Sequence, residues 1–132
     1  MTGETVFTYA APALKFGAGA SDEVGHDLAS YGARRVLLVT DEGVMATGHP
    51  TRIAEQVWHH GIETVIFDRA RVEPTDESLD EAIDFARDAQ STGRTFDAIV
   101  AVGGGSSIDT AKAVNLLVTN PGELLDLSLI HI

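Results

Sequence analysis

The sequence has no cysteine, which excludes disulfide bonds and cysteine-ligated metal sites from this chain. This composition is compatible with a cytoplasmic protein, and we expect that location. No apolar run approaches the ~18 residues that a membrane-spanning helix requires, so no membrane association is expected. The opening residues, MTGET, have neither the basic region nor the apolar region of a secretory signal, and none is predicted.

Basic residues are scarce as well. The chain has 9 lysines and arginines against 20 acidic residues, which gives a net charge of −11. The phosphate backbone of a nucleic acid would be repelled by such a chain, so nucleic-acid binding is not expected. Any local phosphate site must therefore depend on backbone N–H groups, with Lys112 as a nearby candidate cation.

The five histidines lack the spacing of a metal site. His59 and His60 are adjacent on a predicted helix and therefore point in different directions, while His26 and His49 stand alone. No H-E-x-x-H motif is present, and we expect none of the histidines to bind a metal. The serines of the chain lie in no G-x-S-x-G elbow, so a Ser-His-Asp set is not indicated either.

The sequence does contain enough apolar residues, 44% of 132, to form one domain with a core. Apolar runs predict strands at residues 35–40, 63–67 and 96–102, and segments with helical spacing alternate with them. This alternation predicts an α/β fold, a Rossmann-like parallel sheet with helices on both faces. Two short segments, 6–9 and 14–16, are expected to form an N-terminal β-hairpin or edge ribbon.

The predicted helices have recognisable start and stop signals. Ser21 and Thr75 are each placed to cap a helix, with acidic residues in the first turn that follows. Gly32, Gly61 and Gly93 each follow the last apolar residue of a helix, which is typical of a helix end.

One stretch, residues 96–114, combines a strand, a glycine turn and a helix. Gly103, Gly104 and Gly105 let a ligand approach the backbone, and the start of the following helix offers unpaired N–H groups to an anion. Ser106 and Asp109 have the spacing of a capping box for that helix. A phosphate is the expected occupant; the alternative is a strand-to-helix turn that binds nothing.

The glycine turn matches neither standard nucleotide fingerprint. The Walker A lysine is absent, and the third glycine of G-x-G-x-x-G is replaced by Ile108. Asp41, which ends the first long strand, either accepts ribose hydroxyls or serves as a helix cap or solvated loop acid. Glu73 either accepts a hydrogen bond from an adenosine hydroxyl or is a surface acid. Asp109 and Lys112 are expected to have mainly structural roles, although Lys112 could also reach a phosphate.

At Gly103 to Ala113, GGGSSIDTAKA, the sequence resembles the iron-containing (group III) alcohol dehydrogenase family, which carries a GGGS-x-x-D-x-x-K motif. VLLVTDEG at residues 36–43 is similar to the family's strand that ends in an acid at the ribose. RVEPTDESLDEAIDFA at residues 71–86 resembles the hydroxyacid-oxoacid transhydrogenase branch in particular. The segments at residues 15–17 and 23–25 also fit, so the resemblance covers residues 7–127.

The resemblance implies an enzyme with two domains. Residues 1–127 would be the dinucleotide-binding domain, and a C-terminal helical domain would hold Fe²⁺ (or Zn²⁺) through an Asp and three His that lie outside this chain. The cofactor would be NAD, because an acid at position 41 repels the 2′-phosphate of NADP. The substrate would be a small alcohol or hydroxy acid, with hydride transfer from 4-hydroxybutyrate to 2-oxoglutarate in the transhydrogenase branch, and the full-length enzyme would be a homo-oligomer.

The resemblance also implies roles for individual residues. Asp41 would bind the adenosine ribose, and Glu73 and Thr75 would lie near the adenosine. The pyrophosphate would be bound at the glycine turn and the helix start, where we expect the remaining cofactor-binding residues: Gly103, Gly104, Gly105, Ser106, Ser107 and Asp109.

The end of the chain departs from the family. Residues 128–132, SLIHI, match nothing in it, so we expect them to be a foreign tail and His131 not to be a ligand. The resemblance then implies that the sequence is the nucleotide-binding fragment of an NAD-linked, metal-dependent dehydrogenase or transhydrogenase, which we expect to be inactive alone. Two alternatives are a stand-alone nucleotide-binding module without catalysis and a structural α/β domain whose glycine turn is empty.

Overall fold

The computed structural model describes residues 14–119. Strands and helices alternate through this part of the chain, as the apolar pattern predicts. The strands are β1 (Arg35–Val39), β2 (Glu63–Phe67) and β3 (Ala98–Ala101). A 3₁₀ turn (Ala20–Glu23) leads into α1 (Val24–Ser30), followed by α2 (Glu42–Met45), α3 (His49–His59), α4 (Asp76–Ser91) and α5 (Gly105–Thr119). Of the helices within residues 14–119, none has the length and apolarity to span a membrane.

The three strands form a parallel sheet in the order β2-β1-β3, with β1 at its centre. Val36 pairs with Thr64 on one side and with Ala98 on the other. The predicted parallel sheet is therefore confirmed. A central strand of such a sheet is buried on both faces, which explains its continuous rather than alternating apolar sequence.

Successive residues of β1 contribute to two cores on opposite faces of the sheet. Leu37 and Val39 pack with α4 and α5, whereas Val36 and Leu38 pack with α3 and α1, and all four are at most 1% exposed. The helices are thus on both faces, as predicted. The other buried members of the first core are Phe67, Ala70, Ala82, Ile83, Ala86, Ala111, Val114 and Leu117.

The strand predicted at residues 14–16 is wrong. These residues have no regular secondary structure, and the side chains of Leu14 and Phe16 are 85% and 96% exposed. The structure describes no strand beside them to complete a ladder, and Lys15 instead donates a 2.9 Å hydrogen bond to Asp27 of α1. This hydrogen bond raises the pKa of Lys15. The expected partner strand, residues 6–9, lies outside the described residues.

Helix ends agree with the sequence in most places. Gly32, Gly61 and Gly93 have φ near +78°, which confirms them as helix-terminating glycines. Thr75 caps α4 as predicted: its Oγ1 accepts from Ser78 N at 3.1 Å, and Ser78 Oγ accepts from Thr75 N at 2.9 Å.

The cap predicted at Ser21 is wrong. Ser21 lies inside the 3₁₀ turn that precedes α1, and no side chain caps that turn. The turn is entered through Gly19, which has φ +81°, a conformation that glycine adopts without steric cost. The chain therefore begins to coil before Ser21 is reached.

Candidate functional site

The order of the strands creates a crevice between β1 and β3. The chain leaves β1 through α2 and α3 to reach β2 on one side, and then passes through α4 to β3 on the other side. Adjacent loops at the carboxyl ends of β1 and β3 therefore turn in opposite directions. In open parallel sheets, ligands bind at this kind of switch point.

Thr40 joins the carboxyl ends of all three strands. Its N–H donates to Phe67 O at 2.9 Å, its Oγ1 donates to Val102 O at 2.7 Å, and its own carbonyl accepts from Ala70 N at 3.2 Å. The side chain is fully buried. These bonds fix the positions of the loops that follow the strands, and those loops carry the predicted site residues.

The glycine turn after β3 is tightly packed at its first residue and open at the next two. Gly103 has φ +143°, and a Cβ there would lie 3.0 Å from Ser107 Oγ and 3.4 Å from Val44 Cγ2. A Cβ at Gly104 or Gly105 would meet nothing within 4 Å. The structure thus leaves free space above Gly104 and Gly105, at the amino end of a 15-residue helix.

The capping box predicted for Ser106 and Asp109 is wrong. The helix α5 begins at Gly105, so Ser106 is already inside it, and its carbonyl accepts from Thr110 Oγ1 at 2.9 Å. Within residues 14–119, no hydrogen bond joins Ser106 to Asp109, whose side chain is exposed. The flexible glycines allow the helix to start at Gly105, two residues earlier than a serine cap at position 106 would require.

Ser107 is buried beneath the turn. It is 0% exposed, and its Oγ has no hydrogen-bond partner among the described residues. Buried hydroxyl groups normally have a partner, so this one is an exception in need of a physical explanation. The Oγ faces the position that a Cβ of Gly103 would occupy.

Asp41 has a structural role as the N-cap of α2. Its Oδ1 accepts from Val44 N at 2.8 Å, and the side chain is only 9% exposed. Within the described residues Oδ2 makes no hydrogen bond. The cap alternative is therefore confirmed. Val44, whose N–H donates to Asp41, lies 3.4 Å from the position that a Cβ of Gly103 would occupy, so the cap lies beside the glycine turn.

A cavity of about 530 Å³ lies at the carboxyl ends of β1 and β2, next to Asp41. The segment after β2 supplies Arg69, Arg71 and Val72 to its wall. From this segment the sequence predicts only Glu73 and Thr75 as site residues, and the two arginines are functional candidates that it does not reveal. The sequence does contain one indication of their role, because both arginines directly follow an apolar strand, and ligands bind at the carboxyl ends of such strands. The complete lining is Asp41, Glu42, Gly43, Arg69, Ala70, Arg71, Val72 and Glu81.

The remaining predicted residues lie farther from this cavity. Glu73 and Thr75 are exposed and do not line it, and the hydroxyl of Thr75 is engaged in the capping box. Lys112 is exposed on α5, about 10 Å along the helix axis from its first residue. Asp41 and the glycine turn thus follow the carboxyl ends of the neighbouring strands β1 and β3, although the turn does not line this cavity, and Lys112 lies farther along α5.

A second cavity, of about 660 Å³, lies at the amino ends of the strands, on the opposite edge of the sheet. It is lined by Arg34, Trp58, His59, Gly61 and Glu63. It has neither a glycine turn nor a helix amino end, so it lacks the backbone N–H groups on which the predicted pyrophosphate site depends. The part of the chain that the structure describes also contains no group of three or more His, Asp or Glu side chains that could hold a metal ion.

Comparison with known proteins gives consistent results. Residues 11–131 match the family model described as iron-containing alcohol dehydrogenase. The mitochondrial hydroxyacid-oxoacid transhydrogenase of Bos taurus is 42% identical over 91% of this chain and 25% of its own length. The NAD-dependent methanol dehydrogenase of Bacillus methanolicus is 37% identical over 87% of this chain and 29% of its own length.

The fold agrees with a solved structure of a 1,3-propanediol oxidoreductase. The TM-score is 0.81 at 32% identity, over 92% of this chain and 31% of the other. The sequence thus spans about a quarter of the length of the transhydrogenases that it matches.

Proposed function

Because this chain belongs to the iron-containing alcohol dehydrogenase family, we propose that it is the nucleotide-binding domain of an NAD-linked oxidoreductase. The observation that carries the proposal is the turn at Gly103–Gly105. It combines open space above Gly104 and Gly105, the amino end of α5, and the buried hydroxyl of Ser107, which has no hydrogen-bond partner among residues 14–119. A diphosphate fits this combination, because backbone N–H groups and the helix dipole both favour an anion there.

The two ends of the crevice fit the two parts of a dinucleotide. The backbone of Gly104, Gly105 and Ser106 would hold the pyrophosphate, while Asp41 would accept hydrogen bonds from the adenosine ribose. Its Oδ1 is already oriented by Val44, which leaves Oδ2 available. In this arrangement the protein binds and orients the dinucleotide, and NAD supplies the site that accepts or donates the hydride.

The activity that we propose for the whole enzyme is hydride transfer between a hydroxy acid and an oxo acid. Support comes from the transhydrogenase relatives at about 40% identity. The NAD-dependent methanol dehydrogenase at 37% identity favours a second candidate, the NAD-dependent oxidation of a simple alcohol. In both cases the substrate is a small alcohol or hydroxy acid.

The residues in hand do not form an iron site, since residues 14–119 contain no suitable ligand cluster. It therefore stays a prediction that a C-terminal region binds the metal and the substrate and that the full-length enzyme is a homo-oligomer. The domain boundary at residue 127 and the foreign tail also stay predictions. The cytoplasmic location also stays a prediction. The transhydrogenase relatives are named as mitochondrial, and fractionation of the source cells would distinguish the two locations.

The proposed site can be tested by calorimetric titration of the purified chain with NAD and ADP-ribose. We expect both to bind, and we expect Gly104→Val to weaken both by at least about tenfold, because its side chain would occupy the space of the pyrophosphate. Gly104 does not have a positive φ, and nothing lies within 4 Å of the added Cβ, so this variant should fold normally.

Ala29→Val is a suitable control because it adds bulk at an exposed position of α1, on the other face of the sheet from α5. Its affinity for both ligands should equal that of the parent chain. Unchanged affinity in Gly104→Val would exclude the glycine turn as the site. An absence of binding by the parent chain would favour a structural domain instead.

A further inference from the structure

The cavity beside Asp41 contains charges of both signs. Its volume of about 530 Å³ falls within the usual ~300–1,000 Å³ of small-molecule sites. Asp41, Glu42 and Glu81 contribute negative charge to its lining, and Arg69 and Arg71 contribute positive charge. A site for an uncharged ribose needs only an acceptor such as Asp41, so the arginines require a separate explanation.

Arg69 is engaged in contacts within the protein. Its Nε lies 3.0 Å from Glu81 Oε1, and its guanidinium carbon lies 5.0 Å from the centre of the Phe67 ring. These contacts neutralise the charge of Arg69 and hold its side chain against the sheet.

Arg71 differs from Arg69 in this respect. It is exposed, and it forms no ion pair or hydrogen bond within the part of the chain that the structure describes. The cavity therefore presents the uncommitted guanidinium of Arg71 beside the carboxylates of Asp41 and Glu42, while Glu81 is paired with Arg69. The guanidinium is the side chain best suited to bind a phosphate, through two parallel hydrogen bonds.

We propose that Arg71 is a second determinant of cofactor specificity, which offsets Asp41 and allows the site to accept NADP as well as NAD. This inference rests on the proposed function. An acid at the ribose repels a 2′-phosphate, and an arginine close to the same hydroxyl binds it. Because Asp41 and Arg71 line one cavity, the preference between NAD and NADP depends on the balance between repulsion of the 2′-phosphate by Asp41 and its attraction by Arg71.

The test compares the dissociation constants of NAD and NADP for the purified chain and its variants. Arg71→Ala should weaken NADP by about tenfold, as expected for the loss of a charge-assisted hydrogen bond, with NAD changed by less than about threefold. Arg71→Lys should restore part of the loss, because it keeps the charge but not the planar fork. Arg52→Ala is the matched control: it removes an equal charge at a residue paired with Asp22, outside the cavity lining.

Asp41→Asn provides the converse experiment. Asparagine caps helices as well as aspartate does, so α2 should be retained while the negative charge is lost. NADP binding should tighten by about tenfold, and the double variant Asp41→Asn/Arg71→Ala should lose that gain.

The outcomes separate this inference from the proposed function. If Arg71→Ala weakens NAD and NADP equally, or neither, Arg71 does not select the cofactor, although the glycine turn still binds the pyrophosphate. The same conclusion follows if NADP fails to bind both the parent chain and Asp41→Asn. If no variant and no parent sample binds either dinucleotide, both proposals are wrong.

Discussion

At the scale of single residues, the three consecutive glycines have different roles. Gly103 is required by the fold, because it has φ +143° and lies against Ser107 and Val44. Gly104 is not required by the fold, because its φ is not positive and the space beside it is open. The sequence alone shows three equivalent glycines, and only the backbone conformation distinguishes them.

This difference predicts that two alanine variants lose different amounts of stability. Gly103→Ala should lower the free energy of unfolding by about 1–3 kcal/mol, since alanine is strained at that φ and its Cβ would crowd Ser107 Oγ. Gly104→Ala should change it by less than about 0.5 kcal/mol. Urea denaturation followed by circular dichroism would measure both. Equal losses in the two variants would contradict the distinction.

At the scale of secondary-structure elements, the cap at Thr75 and the cap alternative for Asp41 are correct, whereas the caps predicted at Ser21 and Ser106 are wrong. Thr75 has an extended backbone, φ −105° and ψ 162°, which places its hydroxyl beside the first free N–H groups of α4. Ser21 and Ser106 are equally good capping residues by type, but each already lies within a turn that follows a glycine. A capping motif is therefore reliable only where the preceding chain is extended.

The cap at Thr75 gives a prediction for α4. Thr75→Ala removes the acceptor for Ser78 N and should destabilise the protein by about 1 kcal/mol, whereas Thr75→Ser should retain most of that stability. Thr92, at the other end of α4, is the matched control, because its exposed hydroxyl only donates to Ala89 O. Thr92→Ala should change the unfolding free energy by less than about 0.5 kcal/mol.

At the scale of the whole molecule, the sheet and its helices could be predicted from the order of apolar segments. That order indicates a parallel sheet, and the continuous apolar run of β1 indicates a strand buried on both faces. The central position of β1 is seen only in the structure, because β3 has a similar apolar run and lies beside it at an edge of the described sheet. The composition of the cavity could not be predicted in the same way. Arg69 and Arg71 are close in sequence, but only the structure shows that Arg69 packs against Phe67 and pairs with Glu81, whereas Arg71 has no such partner among the residues that the structure describes.

The central position of β1 predicts that both cores unfold together. Leu37 and Leu38 are neighbours in sequence but belong to opposite faces, and each is 1% exposed. Replacing either with alanine should cost about 2–5 kcal/mol. Trp58, the only tryptophan, reports on α3. In Leu37→Ala, the unfolding transition followed by Trp58 fluorescence should shift by as much as the transition followed by circular dichroism. Separate transitions would show that the two faces unfold independently.

The capping role of Asp41 restricts how this position can change during evolution. A replacement must still accept a hydrogen bond from Val44, or the first turn of α2 loses its cap. Asparagine, serine and threonine satisfy that condition, whereas alanine and the larger apolar residues do not. A lineage can therefore remove the negative charge at this position in one tolerated step, and the route to a new cofactor preference passes through a small set of polar side chains.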